Sequence, residues 1–458
     1  MVELLQLMRC PFCISDFEYD RKGLDSLGKE YGYLICNCST FPVISGIPVI
    51  KPLFDRESEN FVKQLSKVID IGNYDDVIYC LLYECKKQKS ERPYLLKNNR
   101  IQLLKNIKNS VKKEIGLFTL QRRYLERIDK LQSDKLNSFN KYVDLFFSKD
   151  DESTKTAYEY FTFKFGQPRH LVALALIELI ENIRKPVLEV ACGFGPLTRH
   201  SVRRVGMHNV IGTDKNLFML YVAGRYIAPD AKFVCCDANY PLPFKGNSFS
   251  TVTCFDGIHY IQNKYGFTDE VKRTADSDDY LYLFGSTRNA HIDYRYAGYP
   301  YTTEKYSALV QNMNYRIMPD TKILQSYLRK EMPDMEEQAD IRTMRDAPLL
   351  SIVVSSNPAT FTKSKQLTDW PHGGGRLGIN PLYTIQKQNN NDEIVLIRNY
   401  PSQFYELDNV ESKEYLPDRV ITKRTVFDDI ENNRRSPEVE KLIDSFVVLD
   451  LPESYNYL

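Results

Sequence analysis

The 458-residue sequence predicts an α/β fold built on a parallel β-sheet, with smaller parts before and after it. Three observations lead to this prediction. Four short apolar segments between residues 187 and 256 follow one another, and each ends in a polar residue beside a loop. A glycine-rich turn follows the first of these segments. Four closely spaced cysteines within the first forty residues indicate a small additional module.

The composition excludes two classes of protein. The chain has 61 Lys and Arg against 60 Asp and Glu, a formal net charge of +1. This balance excludes a strongly basic protein that coats nucleic acid by charge alone, and also an acidic disordered chain. No apolar run approaches the roughly 18 residues that a membrane-spanning helix needs, and the N-terminus lacks the pattern of a secretory signal. We therefore expect a cytoplasmic protein with no membrane partner.

Residues 1–53 are predicted to form a metal-binding module. Cys10 and Cys13 form a CxxC pair, and Cys36 and Cys38 form a CxC pair. The segment between the pairs has two alternating stretches around a turn, which predicts a hairpin that brings both pairs together. Four thiolates around one ion give the tetrahedral site that Zn²⁺ prefers, and a module of this size needs the metal for stability. Four unrelated buried cysteines are the alternative interpretation.

Two stretches of this module resemble a known family. The stretches are LLQLMRCPFC and LICNCSTFPVISGIPVI. They resemble the small zinc-ribbon module that serves as the activator subunit of tRNA, rRNA and release-factor methyltransferases, over roughly residues 3–50. The resemblance implies a zinc ion that is structural, because all four ligands come from the protein.

Residues 54–165 are predicted to be a helical segment that packs on or caps the sheet. They are rich in Lys, Glu, Leu, Ile and Tyr, and apolar residues recur at helical spacing. A basic run at Lys97–Lys113 is either a solvated helix face or a surface for nucleic acid or another anionic partner. The aromatic-rich stretch at the end of this segment is expected to fold back over a ligand cleft of the sheet.

The strongest chemical pattern begins with the first apolar segment of the sheet. That segment contains Glu189 and leads into Gly193 and Gly195, which let the backbone pass close to a ligand. Asp214 ends the second segment, 21 residues after Gly193. An acidic residue near this spacing can accept hydrogen bonds from both ribose hydroxyls of an adenosine cofactor. Because ligands bind at the carboxyl ends of parallel strands, we expect the cofactor at that edge.

Three kinds of nucleotide-binding site compete for this pattern. A nicotinamide site would have Gly or Ala where this chain has Thr198, and a P-loop would have GK[ST], which is absent. The order of E-x3-GxG, strand-Asp, CDANYPLPF and strand-Phe-Asp resembles the class I S-adenosylmethionine methyltransferases over about residues 186–290. The resemblance implies a Rossmann-like class I core, predicted at residues 166–318, with S-adenosylmethionine as methyl donor. It also implies the donor-binding residues Glu189, Gly193, Gly195, Asp214, Asp237, Ala238 and Phe255.

Candidate catalytic residues follow the fourth and fifth strands. His259 is predicted to be the general base or to orient the acceptor, with Tyr260 as a wall of the acceptor site, and His291 can reach the same cleft. The alternative is that His259 only packs on a helix or bonds to backbone. Arg288 or Arg295 could hold a carboxylate or phosphate by a bidentate contact. The tyrosine-rich stretch that follows is either an aromatic acceptor wall or a loop packed on the core.

Residues 319–458 are predicted to form a C-terminal α+β extension whose default role is acceptor recognition. Its strongest motif is the HGGG at residues 372–375. In lipases such a motif builds an oxyanion hole, but the G-x-S-x-G nucleophile elbow is missing here. A glycine-rich anion-binding turn and a surface loop remain the two interpretations.

These observations together predict an S-adenosylmethionine-dependent O- or N-methyltransferase. We expect a small-molecule, sugar or peptide acceptor from specialised metabolism, because the near-neutral charge and the tyrosine-rich segments favour an enclosed acceptor site. A tRNA or rRNA methyltransferase is the alternative, although the [ND]PP[FY] motif of many RNA amino-methylating enzymes is absent after the fourth strand. RNA is therefore a disfavoured partner. A non-catalytic scaffold that binds the cofactor is a further alternative.

Overall fold

The computed structural model describes most of the chain outside the predicted helical segment. The described residues are 1–54, 56–72, 155–181, 183–292, 298–362, 366–367, 375–387 and 392–455, with isolated residues between 74 and 150. The basic run at 97–113, Arg295, and residues 372–374 of the HGGG motif lie outside them. No helix within the described ranges combines the length and the apolar character needed to cross a membrane.

A mixed sheet of eleven strands organises the described part of the chain. Its strands are β1 (Glu18–Leu24), β2 (Glu30–Ile35), β3 (Thr40–Ile44), β4 (Ile47–Ile50), β5 (Val187–Val190), β6 (Val210–Asp214), β7 (Lys232–Cys236), β8 (Thr251–Phe255), β9 (Leu281–Arg288), β10 (Tyr315–Pro319) and β11 (Leu349–Ser355). Their order is β1-β2-β3-β4-β7-β6-β5-β8-β9-β11-β10. The pairs from β4 to β9 are parallel, and β11 lies antiparallel between β9 and β10.

The central strands are short, apolar and buried on both faces, as parallel strands require. Every residue of β5 and β8 is buried. Neighbouring residues point to opposite faces, so Val187 and Leu188 belong to two different apolar cores. The four strands predicted at residues 187–256 are therefore confirmed, and the Rossmann-like α/β class is the observed fold class.

Helices pack against this sheet and within the C-terminal region. They are α1 (Val2–Leu7), α2 (Arg56–Ile71), α3 (Lys155–Phe163), α4 (Pro168–Ile177), α5 (Pro196–Val205), α6 (Leu217–Val222), α7 (Lys264–Thr274), α8 (Thr303–Val310), α9 (Asp320–Leu328), α10 (Gln403–Asp408), α11 (Arg424–Glu431) and α12 (Pro437–Asp444). All ten residues of α4 are buried, because this helix packs between β9 and α9.

The N-terminal module is continuous with the central sheet. Its last strand, β4, pairs in parallel with β7 through Val49 opposite Cys235 and Ile50 opposite Cys236. Met8 adds a backbone bridge to Phe244. The buried apolar strand β4 thus covers an edge of β7 that would otherwise be unpaired.

The sheet also continues past the predicted boundary between residues 318 and 319. Strand β10 ends at Pro319, and its partner β11 lies thirty residues further along the chain. Because β11 also pairs with β9, the core sheet extends to Ser355.

The remaining C-terminal region is α+β, as predicted. Strands β12 (Arg376–Ile379) and β16 (Val448–Leu451) form one small antiparallel sheet, and β13 (Tyr383–Lys387), β14 (Glu393–Arg398) and β15 (Arg419–Lys423) form another. The region packs directly on the segment before the core, since the Tyr415 hydroxyl donates to the Gly166 carbonyl at 2.8 Å.

Candidate active site at the carboxyl edge of the sheet

The glycine-rich turn after β5 has a backbone that requires glycine. Gly193 and Gly195 have φ of +56° and +78°, in the left-handed region. A Cβ on Gly193 would lie 2.6 Å from the hydroxyl oxygen of Tyr160 in α3. Gly195 caps α5, so the first N–H groups of that helix face the turn. The turn therefore leaves bare backbone beside the end of β6.

Asp214 lies at that end of β6, against the turn. Its Oδ2 accepts the Gly193 N–H at 3.1 Å, and its Oδ1 accepts the Asn216 N–H at 2.8 Å. Burial raises the pKa of Asp214, and the two backbone donors oppose this shift. The predicted spacing of 21 residues thus corresponds to a direct contact across two neighbouring strands.

Glu189 lies inside β5 and is only 2% exposed. The Thr198 hydroxyl donates to its Oε2 at 2.6 Å. Burial raises the pKa of Glu189 to about 8, against the lowering effect of this hydrogen bond. The carboxyl is therefore mostly protonated at neutral pH.

The loop after β7 carries Asp237 and Ala238, both half-buried. The Asp237 Oδ1 accepts the backbone and side-chain N–H groups of Asn239 at 2.9 and 2.8 Å. The Asn239 Oδ1 in turn accepts the Gln262 N–H at 2.8 Å. This chain of bonds ties the β7 loop to the turn after β8.

Phe255 is the last residue of β8, and its ring packs away from the loops. A Cβ on Gly285 would lie 2.6 Å from that ring and 3.4 Å from Leu176 of α4. The ring therefore fills the space between β9 and α4. The backbone of Phe255 lies at the strand end, as predicted, but its side chain is part of the hydrophobic core.

Helix α3 covers the glycine-rich turn, as expected for the aromatic-rich segment. Phe161 is fully buried and packs at 4.9 Å, between ring centroids, on Phe194 of the turn. Tyr160 contacts the same Phe194 ring edge-on at 5.2 Å. Burial raises the pKa of Tyr160, and the negative charges of Asp256 and Asp214 raise it further.

Buried charges lie close to the Tyr160 ring, since Lys164 Nζ is 5.4 Å from its centroid. The Asp256 Oδ2 lies 3.4 Å from Lys164 Nζ and 3.8 Å from Arg169 Nε. Asp408 of α10 pairs with Arg169 and lies 3.8 Å from Arg288 Nη2 at the end of β9. We call Lys164, Arg169, Asp256, Arg288 and Asp408 together the ion cluster. Burial alone would raise the pKa of Asp256, but the guanidinium and ammonium groups outweigh it and hold that pKa below its usual range.

Sequence reasoning missed the cluster members Lys164, Arg169 and Asp408. The first two interrupt the aromatic and apolar stretch FTFKFGQPRHLVALAL, where a charge must be buried together with its neighbours. That interruption is a signal that could have identified them. Asp408 has no local signal, because it reaches the site only through the packing of the C-terminal region.

His259 and Tyr260 lie in the turn after Asp256. His259 is fully buried, and within the described residues neither ring nitrogen has a hydrogen-bond partner. Burial lowers the pKa of His259 to about 4, although Asp256 opposes this, so the ring is neutral at physiological pH. Its ring lies 4.2 Å from that of Tyr260, centroid to centroid, and Tyr260 is 48% exposed.

His291 has a different environment from His259. Its Nε2 lies 2.9 Å from Oε2 of Glu304, and Arg345 donates to the other oxygen of the same carboxylate at 2.9 Å. These groups are partly exposed and connect the β9 loop to α8. His291 therefore has a carboxylate partner, and its predicted catalytic role stays a prediction.

The four N-terminal cysteines come together as predicted. Their sulfur atoms all lie within 4.8 Å of one another. Cys10 and Cys38 are 3.7 Å apart, and Cys36 and Cys38 are 3.6 Å apart. A tetrahedron with Zn–S bonds of about 2.3 Å has edges of about 3.8 Å. Cys10, Cys13, Cys36 and Cys38 thus fit one structural zinc ion.

A comparison with protein families finds a match within the core of the sheet. Residues 187–277 match the family model for a methyltransferase domain, and this range runs from β5 to just beyond α7. The curated proteins contain no match to the chain.

Several solved structures are similar over about two fifths of the chain. One is a complex between the Haloferax volcanii Trm112 methyltransferase activator and a protein described as a methyltransferase, with 15% identity, coverage of 41% of this chain and 90% of that one, and a TM-score of 0.32. The YcgJ protein of Bacillus subtilis has 16% identity, coverage of 41% and 94%, and a TM-score of 0.28. A TehB-like methyltransferase from Corynebacterium glutamicum has 12% identity, coverage of 41% and 88%, and a TM-score of 0.30.

The family-model match and the sheet that carries it define the class of this protein. It is an S-adenosylmethionine-dependent methyltransferase with a Rossmann-like class I core, as the sequence predicted. Its methyl donor is S-adenosylmethionine, and its N-terminal cysteine cluster is consistent with structural zinc.

Proposed function

We propose that the protein transfers a methyl group to an oxygen or nitrogen atom of a small-molecule, sugar or peptide acceptor in specialised metabolism. The observation that carries the proposal is that the Gly193 turn, Asp214 and the unpartnered His259 follow neighbouring strands at one sheet edge. Substrates of α/β proteins bind at that edge. Helix α3 covers the turn, which favours an enclosed acceptor over an extended one.

The donor is proposed to lie along the ends of β5, β6 and β7. Asp214 would accept the ribose hydroxyls, and the Gly193 backbone, which carries no Cβ, would lie against the methionine part close to Glu189. Asp237 would lie against the adenine. The full proposed set is Glu189, Gly193, Gly195, Asp214, Asp237, Ala238 and the backbone of Phe255.

Methyl transfer requires that the acceptor atom is positioned against the methyl group and that the acceptor loses one proton. Bound S-adenosylmethionine would supply an electrophilic methyl group, and the residues at this sheet edge would hold the acceptor in line with it. The acceptor proton would pass to His259, whose neutral ring has a free nitrogen to receive it. The charge that forms on the ring is stabilised by Asp256, while Tyr260 would line the acceptor site.

The N-terminal module is proposed to be the covalently linked counterpart of the activator subunit that it resembles. Its four cysteines would hold zinc, and the metal would stabilise a hairpin that is too small to fold on its own. The pairing of β4 with β7 supports this proposal, because the folded module then extends the sheet that carries Asp237.

The test is transfer from a methyl-labelled donor into host extract, followed by separation of RNA, protein and small molecules. Label in small molecules or peptides supports the proposal. Label in RNA would contradict it and favour a tRNA or rRNA methyltransferase. Calorimetry with S-adenosylhomocysteine shows independently whether the donor site works. Donor binding without transfer into any fraction would favour the scaffold alternative. A His259→Gln variant should retain donor binding and lose most of the transfer, by about 100-fold or more.

A further inference from the structure

The ion cluster buries its positively charged side chains more deeply than its carboxylates. The side chains of Lys164, Arg169 and Arg288 are 5–8% exposed, whereas those of Asp256 and Asp408 are 21% and 18% exposed. Burying an ammonium and two guanidinium groups is costly unless their donors are paired. Three cations placed beneath two carboxylates therefore need an explanation.

Lys164 and Arg169 carry more donors than their bonds within the cluster use. An ammonium and a guanidinium together have about eight N–H donors, and the described hydrogen bonds take one from each group, to Asp256 and to Asp408. The Arg169 Nε is buried and has no hydrogen-bond partner among the described residues. Its distance of 3.8 Å to Asp256 is an ion pair but not a hydrogen bond. The single bond from Lys164 to Asp256 is long, at 3.4 Å.

A third carboxylate, Asp320, also faces Arg169, and its hydrogen bonds lead elsewhere. The hydroxyls of Ser286 and Ser351 donate to its two oxygens at 2.6 and 2.7 Å. Burial raises the pKa of Asp320 to about 6. Asp320 balances charge in the region, but among the described hydrogen bonds it accepts none from Lys164 or Arg169.

We propose that the ion cluster binds a carboxylate or phosphate group of the methyl acceptor. This inference rests on the proposed function and names the chemistry of its substrate. An oxyanion would accept from the Lys164 ammonium and the Arg169 Nε, with the neutral His259 ring beside it. Arg288, which the sequence singled out as an anion ligand, completes the site from β9. Asp256 and Asp408 hold the cations in place.

The position of the cluster also limits the acceptor. Lys164 Nζ lies 5.4 Å from the centre of the Tyr160 ring, and the Tyr160 hydroxyl touches the Gly193 turn. One aromatic ring thus separates the cluster from the proposed donor site. The anionic group and the methylated atom therefore belong to the same small molecule, a few bonds apart.

The first experiment measures anion binding directly. The protein saturated with S-adenosylhomocysteine is titrated by calorimetry with inorganic phosphate and, separately, with acetate. We expect saturable binding of one of them, weakened about 10- to 100-fold in Lys164→Met and in Arg288→Gln. The matched control is Lys185→Met, which removes a lysine paired with Asp276 outside the cluster, and it should bind like the wild type. The inference would be overturned if the wild type bound neither anion, or if both cluster variants bound the anion as tightly as the wild type does.

The second experiment identifies the charge of the product. Labelled small molecules from the extract assay are passed over an anion-exchange resin at neutral pH. Retention supports the inference, and label in the flow-through overturns it. The retained product is then treated with a phosphatase and passed over the resin again. A phosphorylated product loses its charged group and is no longer retained, whereas a product that carries a carboxylate is still retained. The titration of S-adenosylhomocysteine alone tests the donor site, so a failure of the proposed function is seen separately from a failure of the anion site.

Discussion

Replacing Glu189 by Gln should stabilise the protein at high pH and leave its stability almost unchanged at low pH. The reason is that Glu189 is 2% exposed, and burial raises the pKa of its carboxyl from 4.5 to about 8. Gln has nearly the same shape, and its oxygen can still accept the Thr198 hydroxyl. The variant therefore removes the titration and keeps the packing.

The expected size follows from linkage between ionisation and folding. The folded-state pKa is the higher one, so the native protein retains a proton that the unfolded chain loses above pH 4.5. The contribution to stability is complete below pH 4.5, falls as the pH rises, and is fully lost above about pH 8. At 1.36 kcal/mol for each pKa unit, the difference between 4.5 and 8 corresponds to roughly 3–5 kcal/mol.

The assay is urea unfolding, followed by far-UV circular dichroism, at pH 5 and at pH 8.5 without methyl donor. The free energy of unfolding of the variant minus that of the wild type should rise by about 3 kcal/mol or more between the two pH values. The control is Glu331→Gln, whose carboxylate is 52% exposed, and its difference should not change with pH. An equally flat difference for Glu189→Gln would refute the reasoning about the buried carboxyl.

Three further predictions concern the donor and zinc sites. Asp214→Asn should weaken S-adenosylhomocysteine binding about 10- to 100-fold in calorimetry, with an unchanged circular dichroism spectrum, because a charged acceptor of two hydroxyls becomes neutral. Metal analysis should find one zinc ion per chain, and Cys10→Ser should lose the ion and unfold at a lower temperature; a metal-free protein with unaltered melting would contradict the zinc site. Gly193→Ala should abolish donor binding, since its Cβ would meet the Tyr160 hydroxyl at 2.6 Å. Adding Tyr160→Phe should restore part of that binding, and no recovery would leave the positive φ as the whole cause.

The N-terminal module and the core strands could be predicted because their signals are local. An apolar run of four or five residues that ends in Asp or Gly specifies a buried parallel strand and its loop wherever the rest of the chain goes. The same holds for the contact between Asp214 and Gly193, since strand, helix and strand together set their separation. The paired cysteines likewise needed only the hairpin between them to meet.

The ion cluster could not be predicted as a unit. Its members come from the turn before α4, the first turn of α4, the ends of β8 and β9, and α10. Only Arg288 and Asp256 lie at the ends of strands that the sequence located. Nothing near Asp408 in the sequence indicates that it reaches Arg169, 239 residues away. The same limitation applies to His291, whose partner Glu304 becomes its neighbour only through the packing of α8.

The sequence by itself determined the class I core, the methyl donor and the cysteine cluster, because each depends on short-range spacing within one strand, turn or hairpin. Tertiary structure alone decided that β4 extends the core sheet, that β10 and β11 complete it as far as Ser355, and that charges from distant segments meet beside His259. The physical reason is that strand pairing and charge burial are contacts between surfaces, and their partners are chosen by packing over the whole chain.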